Sequence, residues 1–254
     1  MSTLMKKFHR IHLASPELEG YWKPDRVTRP VYAHGNKHVT PSDGTRAPYT
    51  HPTVELRYDG SLDGSPSGHI AGEVSPQFPL HTPRLLREFI TAFYPDKVTK
   101  SCGMHIHFSM SDADYAKLVS REFYDHCLNK AKLWGEDQTR AGNTDVGFER
   151  LRTRLSGGAH FCDTSNFNPR GQLQAGRGYP TERYSAINYC YSRFRTVEFR
   201  FMPMFDKPDN AVKATSFLVS LVEQWLKTAK AKLNKRHKFT VFFPKDKDSS
   251  ATVS

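Results

Sequence analysis

Cys102-Gly103-Met104-His105-Ile106-His107-Phe108-Ser109 alternates without a break. Cys102, Met104, Ile106 and Phe108 fall on one side of a two-residue period, with Gly103, His105, His107 and Ser109 on the other. That is the pattern of a strand with one face in a core and the other in a polar cleft. Two more stretches repeat it: Val54, Leu56 and Tyr58 alternate with Glu55, Arg57 and Asp59, and Val197, Phe199 and Phe201 alternate with Thr196, Glu198 and Arg200. Strands with two unlike faces predict an antiparallel or mixed sheet, apolar on one side and ionisable on the other.

The cover for the apolar side is legible as three helices. Thr82 to Tyr94 has a capping threonine, Pro83 in the first turn, a stripe of Leu85, Leu86, Phe89, Ile90 and Phe93, and a stop at Pro95. A second starts at Ser111, whose spacing to Asp114 resembles a capping box, and carries apolar residues to Trp134. The third spans about Pro208 to Leu233 with a lysine-rich end, which suits the negative end of a helix dipole. The fold class expected is therefore α+β. Residues 135–182 follow neither period, hold half the glycines together with Arg140, Arg150, Arg152, Arg154, Arg170 and Arg177, and read as mobile loops over the cleft. Residues 1–244 form one domain in this reading, and 245–254 a disordered polar tail.

Composition narrows the function classes. The chain has 254 residues, 37 % of them hydrophobic, with 17 Phe and 11 Tyr, enough to build a core. It contains no run of ~18 apolar residues and no secretion-type h-region, so a soluble cytoplasmic protein without membrane contact is expected. Four dispersed cysteines, with no Cys-x-x-Cys pair, exclude a zinc ribbon and a dense disulfide framework. A net charge of +11 favours anionic partners, and six of the basic residues lie between Lys227 and Lys238 with no acid among them.

Five elements bear on chemistry. Glu17-Leu18-Glu19 puts two carboxylates on one strand face, which repel unless a cation lies between them. Asp59-Gly60-Ser61 reads first as a turn, and Gly72-Glu73-Val74-Ser75-Pro76 as a strand end bearing an acid. His105 and His107 share a face beside Gly103, where a backbone can be approached closely, and His-x-His on a strand suits a metal. Glu198 and Arg200 stand together on another polar face, where a carboxylate can ligate a divalent ion and a guanidinium fork can take phosphate oxygens. Each element alone also fits an ordinary surface acid, turn, structural histidine or ion pair.

In this order the elements resemble the amidoligases, the short branch of the glutamine synthetase and gamma-glutamylcysteine synthetase superfamily of carboxylate-amine ligases. The pattern runs from Glu17-x-Glu19 through Asp59-Gly60-Ser61, Glu73-Val74-Ser75-Pro76, Gly103-Met104-His105-x-His107 and Arg183-Tyr184-x-x-x-Asn188 to Thr196-Val197-Glu198-Phe199-Arg200. The resemblance implies an antiparallel sheet shaped as a half-open funnel, with ATP at one mouth and two or three Mg2+ ions between its phosphates and strand-borne acids. It implies metal positions at Glu17, Glu19, Glu73, His105 and Glu198, and a phosphate-contacting arginine at Arg200. Asp59 would serve the amine, and His107, Arg183 and Asn188 would touch substrate or phosphate. The reaction implied is amide formation from a carboxylate and an amine through an acyl phosphate, with one of Arg150, Arg152 and Arg154 closing over the phosphates or the acidic substrate. Substrates would be a small-molecule or peptide carboxylate and an amine, nucleic-acid-linked substrates included, on a monomer or small homo-oligomer.

Two departures stand out. Pro16 occupies a position where the branch carries an apolar strand residue, so the first strand is expected to begin there. Gln77, Phe78 and Pro79 follow Pro76 where glutamine synthetases carry another acid, which leaves one metal site short of a ligand. Rival readings are a metal-dependent phosphohydrolase using the same acids and histidines on water, and a basic nucleic-acid-binding protein acting through Lys227 to Lys238.

Overall fold

Alternating strands pair so that like faces meet like, because a slip of one residue would exchange core and solvent faces along the whole strand. A computed structural model describes residues 7–28, 37–42, 53–62, 64, 66–158, 162–167, 169, 184–190 and 195–229. Its strands are β1 (Leu13–Trp22), β2 (Val27–Thr28), β3 (Lys37–Val39), β4 (Val54–Arg57), β5 (Ile70–Val74), β6 (Met104–Ser109), β7 (Ile187–Cys190) and β8 (Thr196–Phe199). They form one open sheet in the order β2-β3-β4-β5-β1-β6-β8-β7, antiparallel throughout. An α+β architecture with an antiparallel sheet follows.

Among the described residues five α-helices accompany the sheet: α1 (Pro83–Ala92), α2 (Asp112–Leu118), α3 (Arg121–Arg140), α4 (Gly147–Leu155) and α5 (Pro208–Thr228). The start of α1 is as the sequence predicts, with Thr82 Oγ1 accepting the Leu85 N–H at 3.1 Å and Pro83 in the first turn. The long second helix is in fact two. Ser111 caps α2, the chain leaves helical geometry at Val119, and Ser120 caps α3 by accepting the Phe123 N–H. A serine that offers its hydroxyl to a free N–H starts a helix more readily than it continues one.

The stretch read as loops between 135 and 182 is also partly helical. Residues 135–140 complete α3, and α4 occupies 147–155 with Phe148 and Leu151 buried three residues apart. Leu151 lies against Gly135 of α3, and Phe148 packs on Phe205, their ring centroids 5.0 Å apart. Asp145 joins the starts of two helices: it accepts the Gly147 and Asp206 N–H groups on Oδ1, and the Lys207 N–H and Asn210 amide on Oδ2. Residues 170 and 171–183, like the tail 245–254 and most of the basic run after Lys227, lie outside the described residues.

The apolar face of the sheet packs on helices. Phe123 of α3 contacts Phe199 of β8 and Trp225 of α5, Tyr115 of α2 contacts Tyr189 of β7, and the Thr215 hydroxyl of α5 reaches Met104 Sδ of β6. Glu223 of α5 secures the N-terminal segment by accepting the backbone N–H groups of His9, Arg10 and Ile11. Tyr58, expected on the apolar face of its strand, is instead 91 % exposed, because β4 ends at Arg57 and the Asp59 turn follows.

β1 does not begin at Pro16 but runs through it from Leu13. The alternation of hydrogen bonds explains this. The Ala14 N–H points to Leu80 on the β5 side of β1, whereas the Glu19 N–H points to Gly103 on the β6 side. Pro16, even-numbered like Ala14, therefore turns its nitrogen toward the gap between the Leu80 bridge and the end of β5 at Val74, where no ladder bond is required.

Candidate metal and anion site

The register gathers the predicted residues on one face. Directly opposed residues of an antiparallel pair share a face, so Asn188, Glu198, His107 and Ser15 form one row, with Glu17 and His105 in a second and Glu19, Glu73 and Arg57 in a third. Four strands that are far apart in sequence thus bring Glu17, Glu19, Glu73, His105, His107 and Glu198 together.

His105 is the hub. Its Nδ1 lies 3.6 Å from both Glu17 Oε2 and Glu198 Oε1, and its Nε2 lies 3.4 Å from Glu19 Oε1. His107 Nε2 is 3.4 Å from Glu17 Oε1, while its Nδ1 is 3.1 Å from Thr196 Oγ1. Two donor sets result, Glu17 with His105 and Glu198, and Glu19 with Glu73 and His105, each offering ligand atoms within 4.8 Å of one another. Carboxylate oxygens with an imidazole suit a divalent cation.

Electrostatics distinguish the two sets. For Glu17, burial disfavours charge, yet hydrogen bonds with His105 and His107 outweigh it and hold the carboxyl below the usual range. Glu198 is also held low: burial opposes its charge, but Arg200, 2.6 Å away, and both histidines prevail. In the second set Arg154 favours the charged form of Glu19 and Arg57 that of Glu73, but neither outweighs burial and the neighbouring acids. Burial and then the neighbouring Asp59 push Glu19 well up, and burial with the charges of Glu17 and Asp59 raises Glu73 to about 8. Acids that burial and mutual repulsion push toward the neutral form are ones a divalent cation would relieve.

Arg200 is the candidate for an anion contact. Its Nη1 pairs with Glu198, and its buried Nε has no hydrogen-bond acceptor among the described residues, which leaves a donor for an incoming oxyanion. Asn188 donates its amide to Glu198 Oε2 at 2.8 Å, which orients that carboxylate. Asp59 follows β4 beside Glu19 and Glu73, and accepts the Ser61 N–H in its turn. Gly103 is required by space: a Cβ there would lie 2.8 Å from His105 Nε2, 3.0 Å from Glu19 Oε2 and 3.1 Å from Arg154 Nη1.

Of the three α4 arginines, one of which was expected to close over this face, Arg150 and Arg152 are engaged elsewhere. Arg150 donates to Asp206 and the Met204 carbonyl, and Arg152 is exposed beside Glu149. A helix turns successive even positions to different sides, so residues that alternate in sequence part company in space. Arg154, the one that turns inward, is buried beside the site, where its charge acts on Glu19; its position relative to Phe148 and Leu151 was the available signal. Arg183 lies outside the described residues. Comparison with protein-family models, with curated proteins and with solved structures gives no match.

Proposed function

We propose that the chain is an ATP- and Mg2+-dependent carboxylate-amine ligase, forming an amide through an acyl phosphate. The observation that carries this reading is the pair of carboxylate-histidine donor sets on one sheet face, beside a buried arginine with an open donor. Glu17, His105 and Glu198 would hold one ion, and Glu19 and Glu73 another. Bound Mg2+ and ATP supply a phosphoryl donor and screen the charge that keeps two anions apart.

The chain's own residues do the rest. A carboxylate expels oxide poorly, so it must be phosphorylated before an amine can displace anything from it; Arg200 steadies phosphate oxygens while Glu198 fixes the guanidinium in place. Asn188 and Thr196 orient Glu198 and His107 from behind. Asp59, at the acid-rich end of the row, accepts the proton that an ammonium must lose before it attacks.

Titration calorimetry with Mg-ATP tests the reading. Micromolar binding that disappears without Mg2+ and in Glu198→Ala is the expected result, followed by ADP release that requires both an acid and an amine. Absence of nucleotide binding under all conditions would refute it. Phosphate release with no amine acceptor would instead favour a metal-dependent phosphohydrolase.

A further inference from the structure

Arg154 enters the molecule on α4, where 7 % of the residue is exposed. Its guanidinium spreads over main-chain carbonyls on two segments. Nη2 donates to Cys102 at 3.0 Å and Ser101 at 3.3 Å, and Nη1 to Arg200 at 3.3 Å and Met202 at 3.4 Å. Burial disfavours the cation and draws its pKa below the guanidinium value. Carbonyl oxygens from both segments offset that cost.

Two of those carbonyls lead into the candidate site. The Cys102 carbonyl belongs to the peptide whose N–H, on Gly103, donates to Glu19 Oε2. A cation at one end of an amide polarises it and strengthens the N–H at the other end. The Arg200 carbonyl belongs to the residue whose side chain pairs with Glu198. One planar group thus spans the entry to β6 and the exit from β8, the segments that carry the Glu19 anchor and the Glu198 partner.

We infer that Arg154 is a positioning residue for the cation cluster, fixing Glu19 through the Cys102–Gly103 peptide and its spacing to the Glu198–Arg200 pair through the backbone at Arg200. This rests on the proposed binding of divalent cations by the cluster. Lysine keeps the charge at this position but cannot reproduce a fork that reaches four carbonyls on two segments.

The test uses Mn2+ alone, titrated by calorimetry into the full chain and into Arg154→Lys, Arg154→Gln and Leu151→Ala, with thermal melting of each. Both arginine variants are expected to bind Mn2+ about ten- to a hundred-fold more weakly, the usual effect of removing a group that orients a ligand. Leu151→Ala loses packing on the same helix and is expected to melt earlier while keeping native Mn2+ affinity. A folded arginine variant with native affinity would overturn the inference. So would equal loss in Leu151→Ala, or failure of both arginine variants to fold while Leu151→Ala folds, since Arg154 would then serve structure alone. A native chain that takes up no Mn2+ would remove the metal reading itself and this inference with it.

Discussion

Replacing Gly103 by alanine tests the geometry of the site with one methyl group. The backbone of Gly103 is not in the left-handed region, so alanine meets no conformational penalty there. The new carbon would instead sit 2.8 Å from His105 Nε2, 3.0 Å from Glu19 Oε2 and 3.1 Å from Arg154 Nη1. Each is well inside the ~3.5–4.0 Å at which a carbon contact is favourable. All three neighbours are buried, and none can yield without moving another. Overpacking of this kind costs about 1–3 kcal/mol, which in a chain of this length lowers Tm by roughly 2–10 °C. Displacing Glu19 from the Gly103 N–H and His105 from its hub should reduce Mn2+ affinity at least about ten-fold. Melting curves and Mn2+ calorimetry measure the two effects. Gly20→Ala is the control: its Cβ would lie 2.4 Å from Pro95 Cβ on the opposite face of β1, so it should destabilise as much while sparing cation affinity. Full Mn2+ affinity in folded Gly103→Ala would refute the argued convergence on His105.

Three more outcomes follow from the same contacts. Glu73 is raised to about 8, so its favourable contribution without a cation is complete below the ordinary carboxyl pKa and is lost as pH climbs through 8; melting without metal should show a decline that Mn2+ reverses and Glu73→Gln lacks. Asp145 is depressed, since hydrogen bonds from Asn210 and three backbone N–H groups overcome burial, and its contribution is present above its ordinary value of 3.8 and lost as pH falls below it; the stability difference between native chain and Asp145→Asn should be flat above pH ~4 and shrink in acid. Glu223→Ala strips three backbone N–H groups of their acceptor and should cost about 1–3 kcal/mol, with amide exchange at His9, Arg10 and Ile11 accelerating first.

Strand alternation made three strands and the polar faces carrying His105, His107, Glu198 and Arg200 readable from sequence, whereas Glu73 showed only as an acid at a strand end. A period of two is local, and it needs no knowledge of partners. The break at Ser120 was visible as a capping residue, but an apolar stripe running past it on both sides hid the interruption. α4 was illegible for another reason: four of its nine residues are charged, and its inward side is completed by an arginine rather than an apolar residue. Arg150, Arg152 and Arg154 look equivalent in sequence, and only the helical turn separates an ion pair, a solvated side chain and a buried support. Pro16 misled because a proline forbids one hydrogen bond, and sequence does not tell whether its strand has a neighbour on that side. The half-open funnel and the ligase chemistry were expectations of the resemblance alone, and neither follows from alternation.

The central strands of the sheet separate two tasks. In β1, Ala14, Pro16 and Leu18 face the interior while Ser15, Glu17 and Glu19 line the polar side, so the groups on the polar side can be exchanged without altering the apolar packing. A library limited to Ser15, Cys190 and Thr196, half-buried positions on the polar side, would therefore vary the groups offered to a ligand while leaving the apolar packing unchanged. The same partition makes the chain a suitable scaffold for rebuilding a cleft one row at a time.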